Sequence, residues 1–262
     1  MFDFHIHSTV SYDGHGTPEQ MARAAVAAGL QEICFADHVD DDPLAGIVPE
    51  HRFTPESYGA AYDGLEVPGV LIRRGMEFGM LPNNRAGFEE CLRWREFDFV
   101  LGSVHYADGM DVYERPYWEG KTQFEGERRY LEDVLECVRV HDGFDVLGHL
   151  TYISKARHNP THRPVPLKDH REVVAEILKV LIAKGKGIEV NTSGVFRSGD
   201  LLPTEEYLRL YKDLGGRIIT VGSDAHTPDR VGEYAGRALG LLKDVFGYVC
   251  TFEGRKPIFH ML

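Results

Sequence analysis

The sequence has little positive charge. Among its 262 residues, 29 are Lys or Arg and 41 are Asp or Glu, which gives a formal net charge of −12. A general nucleic-acid-binding protein normally carries a basic face, so this composition argues against that class. No run approaches the roughly 18 consecutive apolar residues that a transmembrane helix needs. We therefore expect neither nucleic acid nor a membrane as a partner.

Cysteine is also scarce. The four cysteines, Cys34, Cys91, Cys137 and Cys250, form no CxxC motif, and we expect them to be buried free thiols in a reducing compartment. The first residues, MFDFHIHS, show no basic stretch followed by an apolar one, so we expect no signal peptide. Together these features predict a cytoplasmic protein.

What the chain does have is an alternation of short apolar strands with amphipathic helices, which is typical of α/β proteins with parallel strands. The predicted strands are Met1–Ile6, Glu32–Asp37, Val70–Phe78, Phe97–Val104, Phe144–Gly148, Gly187–Asn191 and Arg217–Gly222. No glycine-rich phosphate-binding fingerprint follows the first strand, which favours a closed barrel over an open sheet. We predict a distorted seven-stranded (β/α)7 TIM-like barrel, formed as one domain by residues 1–262. Two stretches that follow strands, Asp40–Arg52 and Thr151–Pro166, are predicted to be irregular.

The sequence is rich in histidine, with 13 residues. Side chains of the metal-ligand type recur where the predicted strands end or in the loops that follow them: His5, His7, Asp13, His38, Glu77, His105, His149, Asp224 and His226. The sixth strand ends in Asn191 instead, and Arg197 lies just beyond it. The carboxyl ends of barrel strands are where active sites assemble. His15 and three other loop histidines belong to no such motif and are expected to be exposed.

A single histidine at a strand end is usually a polar surface residue or a core residue whose ring is hydrogen-bonded. Nine ligand-type residues that all lie at or just after strand ends favour a metal site instead. Imidazole and carboxylate without thiolate suit zinc, iron or manganese. Nine ligands exceed what one ion requires, which predicts two or three divalent ions.

These residues also carry a resemblance to a known family. The segments HIHS (residues 5–8), SYDGHG (11–16), ADH (36–38), GMEF, GSVH, GHL and GSDAH together resemble the polymerase-and-histidinol-phosphatase (PHP) superfamily, from residue 3 to residue 226. The resemblance implies a distorted β/α barrel with a trinuclear metal centre. By position, it implies that one ion is held by His5, His7, Glu77 and Asp224. It implies a second ion between Glu77, His105 and His149, and a third between Asp13, His38 and His226.

Within that superfamily, the length and the segment EVNTSGVFR (189–197) resemble histidinol-phosphate phosphatases. The resemblance implies hydrolysis of a small phosphomonoester, with L-histidinol phosphate as the preferred substrate, and Glu77 as the residue that bridges two ions. We expect Arg197 to clamp the phosphate, because a guanidinium presents parallel donors. Arg157 and Lys155, in the loop after His149, are secondary candidates.

Two other interpretations remain open from the sequence. One is a phosphoesterase of the same superfamily that acts on a nucleotide, a phosphotyrosine or a nucleic-acid end. The other is a non-catalytic relative that binds metal for structure or regulation. Such a relative should have lost ligands, whereas all nine positions are filled here.

Overall fold

A computed structural model describes residues 1–44 and 46–262, except for the side chain of Pro49. The strands are β1 (Phe2–Ile6), β2 (Glu32–Phe35), β3 (His38–Asp42), β4 (Gly46–Arg52), β5 (Leu71–Gly79), β6 (Phe99–Ser103), β7 (Tyr106–Ala107), β8 (Met110–Asp111), β9 (Val146–Leu147), β10 (Gly187–Asn191), β11 (Ile219–Gly222), β12 (Tyr248–Glu253) and β13 (Lys256–Met261). The helices are α1 (Pro18–Ala27), α2 (Pro55–Tyr62), α3 (Arg85–Cys91), α4 (Arg115–Trp118), α5 (Gln123–Val140), α6 (Leu167–Ala183), α7 (Gly194–Ser198), α8 (Glu205–Asp213) and α9 (Ala235–Val245). Short 3-10 turns cover Tyr152–Lys155 and Pro228–Arg230.

Seven parallel strands form the central sheet, in the order β1-β2-β5-β6-β9-β10-β11. Its two ends meet through a parallel bridge between Ile6 and Ala225. There the His7 amide donates to the Ala225 carbonyl at 2.9 Å, and the Asp224 amide donates to the His5 carbonyl at 2.7 Å. The sheet is therefore nearly closed, and the predicted seven-stranded α/β barrel is confirmed.

The stretch Asp40–Arg52 differs from the prediction. It was expected to be irregular, but β3 and β4 pair as an antiparallel hairpin, and β3 also pairs with β5; Ala45 lies outside the described residues. Across the hairpin, Arg52 forms an ion pair with Asp41. Asn84 donates a hydrogen bond to the same carboxylate at 3.0 Å. Pairing with β5 and between β3 and β4 thus gives regular structure to a stretch that was predicted to be irregular.

The second predicted irregular stretch, Thr151–Pro166, contains only the turn Tyr152–Lys155 as regular structure, as expected. All four cysteines are buried free thiols, as predicted. Within residues 1–44 and 46–262, no helix has both the length and the apolar character needed to cross a membrane.

The barrel interior below the strand ends is apolar. A small buried cluster, separate from the main core, consists of Phe4, Cys34, Ala36, Phe99, Leu101, Val146 and Phe252. Inward-facing residues of a closed barrel pack among themselves, and alternate residues of a strand share a face. In β6, Ser103 follows Leu101 at that spacing, so the inward face of this strand becomes polar at its end. The apolar cluster therefore lies directly beneath the polar residues at the strand ends.

Candidate metal centre

The nine residues predicted as ligands lie together at the carboxyl ends of the barrel strands. Seven of them line a cavity of about 540 Å³: Asp13, His38, Glu77, His105, His149, Asp224 and His226. The other two, His5 and His7, are fully buried and face Glu77 and Asp224. Residues from the first and the last strands of the barrel are thereby brought into one cluster.

Glu77, fully buried at the carboxyl half of β5, is the centre of this cluster. Its Oε2 atom lies 3.2 Å from His5 Nε2 and 3.6 Å from His7 Nε2. Asp224 Oδ1 lies 3.7 Å and 3.3 Å from the same two nitrogens. Four donor atoms from three strand ends therefore surround one point. A tetrahedral ion with ligands at about 2.1 Å would hold its ligand atoms roughly 3.4 Å apart, and the observed spacing fits that value.

Two further groups adjoin the first. Glu77 Oε1 lies 2.9 Å from His149 Nε2 and 3.6 Å from His105 Nε2. Asp13 Oδ2 lies 3.1 Å from His226 Nε2 and 3.7 Å from His38 Nε2. The two oxygens of Glu77 thus face different histidines, and Asp13 lies between His38 and His226.

Hydrogen bonds to the far side of the rings fix which nitrogen is free. His5 Nδ1 lies 2.7 Å from Glu189 Oε1, and a carboxylate only accepts, so Nδ1 carries the proton. His7 Nδ1 lies 3.1 Å from Ser11 Oγ, whose own proton is donated to Asp37 at 2.9 Å. The Nε2 atoms of both histidines are therefore the ones that face the cluster, and each offers a lone pair to a metal ion when it carries no proton. Such outer contacts orient metal-binding histidines in many proteins.

The cluster fits a metal ion on this evidence. His5 Nε2, His7 Nε2 and Glu77 Oε2 are buried without a hydrogen-bond partner in the described part of the chain. Buried polar atoms are rarely left unpartnered, and each such atom calls for an explanation. Four overlapping trios drawn from the same region bring their ligand atoms within 4.8 Å of one another. The residues can hold metal.

The electrostatics of the cluster favour bound positive charge. Burial lowers the pKa of His38, but the carboxylates of Glu77 and Asp40 outweigh it and raise that pKa to about 9. Burial likewise opposes ionisation of Glu77, yet His5 and His38 hold its pKa well below its ordinary value. Without another cation the carboxylates attract protons onto the imidazoles. A divalent ion would take the place of those protons.

Two carboxylates that support the cluster, Asp40 and Glu189, were not predicted from the sequence. Asp40 lies 3.2 Å from His38 Nδ1 and 3.1 Å from His105 Nδ1, so one buried side chain contacts two of the histidines. Its spacing from His38, two residues along a strand, repeats that of His5 and His7 and could have indicated it. Glu189 contacts His5 and also accepts from the His149 amide at 2.8 Å. A charged residue two positions before Asn191, within a buried strand, was the available signal.

Gly222, at the end of β11, makes room for this arrangement. A Cβ atom there would overlap the Oε1 atom of Glu189 and the Cβ atom of His5. Only glycine lets the backbone of the last strand come this close to both side chains.

Three cationic side chains line the cavity: Lys155, Arg197 and Arg230. Arg197 is exposed, and its Cζ atom lies 5.5 Å from the centre of the Tyr113 ring. Lys155 forms an ion pair with Asp224 and donates to Ser193 Oγ at 2.9 Å. Arg157, the other predicted substrate residue, is exposed and is not among the residues that line the cavity. Of the two loop candidates, Lys155 is the one that faces the cluster.

Comparison with known proteins identifies the class of protein. Residues 3–193 match the model of the PHP domain, and the chain belongs to that family. It is 32% identical to a histidinol-phosphatase of Lactococcus lactis subsp. lactis, over 97% of this chain and 95% of the relative. It is 28% identical to a probable histidinol-phosphatase of Thermotoga maritima, over 98% of each chain.

The fold agrees with these similarities. A crystal structure of histidinol phosphate phosphatase from Lactococcus lactis, in complex with Zn, L-histidinol and phosphate, superposes with a TM-score of 0.86 and 28% identity. That match covers 98% of both chains. A putative histidinol phosphatase of Listeria monocytogenes, 18% identical, shares the fold with a TM-score of 0.75 over 90% of this chain and 99% of the other.

Proposed function

We propose that this protein is a metal-dependent phosphomonoesterase that hydrolyses L-histidinol phosphate to L-histidinol and phosphate. The observation that carries the proposal is the convergence of nine His, Asp and Glu side chains, with Glu77 at their centre, beside a cavity that three cationic side chains also line. Two similarities support the choice of substrate. The chain resembles the Lactococcus lactis histidinol-phosphatase over nearly its full length, and it shares the fold of the Lactococcus lactis histidinol phosphate phosphatase that was crystallised with L-histidinol and phosphate.

We further propose three divalent ions, drawn from zinc, iron and manganese. The Glu77, His5, His7 and Asp224 group would hold one. Glu77 with His105 and His149 would hold another, and Asp13 with His38 and His226 the third. The donor set of imidazole and carboxylate suits these metals. When bound, such ions polarise phosphoryl oxygens and lower the pKa of water at the site.

The protein's own groups then have distinct tasks. Glu77 sets the spacing of two donor groups through its two oxygens, and Asp40 and Glu189 keep the imidazoles in one orientation. Arg197 holds the phosphate, since a guanidinium presents parallel donors to its oxygens. Lys155, on the same cavity wall as Ser193, adds a second positive charge toward the anion. Three ligand carboxylates carry fewer negative charges than three divalent ions carry positive ones, so the loaded cluster attracts a dianion.

The test uses protein loaded separately with zinc, manganese and iron. Hydrolysis of L-histidinol phosphate, AMP and phosphotyrosine is measured by phosphate release, with metal content determined on the same samples. We expect the highest kcat/KM for L-histidinol phosphate. A much higher value for AMP or phosphotyrosine would contradict the substrate, and no hydrolysis by any metal-loaded sample would contradict the reaction.

A further inference from the structure

One carboxylate on the cavity wall has no place in the metal cluster or its support. The acidic residues that line the cavity are Asp13, Asp40, Glu77, Asp111 and Asp224. Each of the others lies within 4 Å of one or more of the cluster histidines. Asp111, in contrast, forms no ion pair with any Lys, Arg or His in residues 1–44 and 46–262.

The position of Asp111 is fixed by its backbone. It ends β8, which pairs with β7 so that Asp111 lies opposite Tyr106. The next amide, that of Val112, donates to the His105 carbonyl at 3.1 Å, which ties this hairpin to a strand end of the cluster. One carboxylate oxygen, Oδ1, accepts from the Tyr113 amide at 2.8 Å. No donor within the described ranges contacts the other oxygen.

The surroundings of Asp111 leave its negative charge without an ion-pair partner in the described ranges, so the charge affects which substrates can approach. The side chain is partly buried, and burial raises its pKa, while the His105 ring and the Tyr113 amide oppose that rise. Tyr106, Tyr113 and Tyr152 line the same cavity, and none of them carries a positive charge. A fixed carboxylate repels an approaching phosphate ester, and water screens this repulsion less in a cavity than on an open surface. A substrate that brings its own cation removes that penalty.

We propose that Asp111 binds a protonated amine of the substrate and thereby selects aminoalkyl phosphates over phosphomonoesters without a cationic group. This inference rests on the proposed function, because L-histidinol phosphate carries an ammonium group beside its phosphate-bearing carbon. Asp111 is a specificity-determining residue in this view. The tyrosines that flank it supply aromatic surface for the planar ring that the substrate carries next to the amine.

The variant Asp111→Asn separates recognition from structure. The amide oxygen of asparagine can still accept from the Tyr113 amide, so the turn is preserved, whereas the negative charge is lost. Asp108→Asn is the matched control, because Asp108 lies in the turn of the same hairpin and does not line the cavity, and its substitution removes the same charge. Melting temperature and metal content of both variants show whether the fold and the cluster are intact.

The assay compares L-histidinol phosphate with its deamino analogue, 3-(imidazol-4-yl)propyl phosphate. We expect the wild type to prefer L-histidinol phosphate by about 10- to 100-fold in kcat/KM, the ratio typical of a hydrogen bond between charged groups. Asp111→Asn should lose most of that preference, through a lower kcat/KM for L-histidinol phosphate and an unchanged or higher value for the analogue. Asp108→Asn should keep it.

Two results would overturn the inference while leaving the proposed function intact. One is an equal loss on both substrates, which would mean that Asp111 supports the site rather than recognises an amine. The other is an unchanged preference. If the metal-loaded wild type hydrolyses neither compound, the proposed function fails, and this inference fails with it.

Discussion

Glu189 offers the sharpest test of how the cluster is organised, because it contacts histidines without belonging to the predicted ligand set. Three donors converge on its carboxylate: His5 Nδ1 at 2.7 Å, the His149 amide at 2.8 Å and Asn191 Nδ2 at 3.1 Å. In Glu189→Gln, one of the two oxygens becomes an NH2 group. That group must face at least one donor, because donors occupy both sides of the carboxylate.

Each orientation of the glutamine has a cost. If the NH2 group faces His5, Nδ1 has to become the acceptor and the proton moves to Nε2, which then points at Glu77 and is lost as a metal ligand. If it faces His149, a buried backbone N–H is left opposed by another donor. An unsatisfied buried donor costs about 1–3 kcal/mol, and 1.4 kcal/mol corresponds to about tenfold. We therefore expect metal affinity to fall roughly 10- to 100-fold, in line with other changes to groups that orient ligands.

The assay is competition for zinc against a chelator of known affinity, with kcat/KM for L-histidinol phosphate measured alongside. Glu127→Gln is the matched control, since Glu127 is also buried and contacts a histidine, His170, at 2.9 Å, but between α5 and α6. Both variants should lose folding stability, and only Glu189→Gln should lose affinity for zinc. Zinc affinity of Glu189→Gln within twofold of the wild type would refute the assignment of Glu189 as an orienting residue.

Three further predictions concern the cluster and the phosphate. Elemental analysis after reconstitution with zinc, manganese or iron should find about three ions per chain, and one ion or fewer would rule out the trinuclear arrangement. Glu77→Gln should lower kcat by roughly 10³-fold, which is the scale expected when an electrostatic stabiliser is lost. His15→Ala should have little effect, because His15 is exposed and belongs to no ligand group. Similar rates for the two variants would show that the ligand assignment is wrong. Arg197→Lys should reduce kcat/KM with L-histidinol phosphate, and Arg197→Ala should reduce it further, with metal content retained in both; unchanged kcat/KM would place the phosphate clamp elsewhere.

The strand ends were predictable because two simple regularities coincide there. Buried parallel strands are continuous apolar runs, and a polar ligand-type residue at the end of such a run stands out. His5, His38, Glu77, His105 and His149 all have this form, and the structure brings them together.

Residues whose role depends on a partner distant in the sequence were harder to predict. Glu189 lies inside an apolar strand, and only the proximity of β1 and β9 to β10 explains why a charge is buried there. Asp40 lies in a stretch that was predicted to be irregular, and the pairing of Asp41 with Arg52 cannot be inferred from local composition. In the loop after His149, the choice between Arg157 and Lys155 depends on the 3-10 turn Tyr152–Lys155, and such a short turn leaves no periodic pattern.

The junction between the first and last barrel strands has a consequence for how the protein is made. The bridge from Ile6 to Ala225 is formed by the same segments that carry His5, His7, Asp224 and His226. During synthesis, the amino-terminal pair must therefore wait for more than two hundred further residues before its partners exist, and contacts of such long range form slowly. We expect the centre to assemble only when the barrel closes, so that a truncated or stalled chain would hold an incomplete set of ligands.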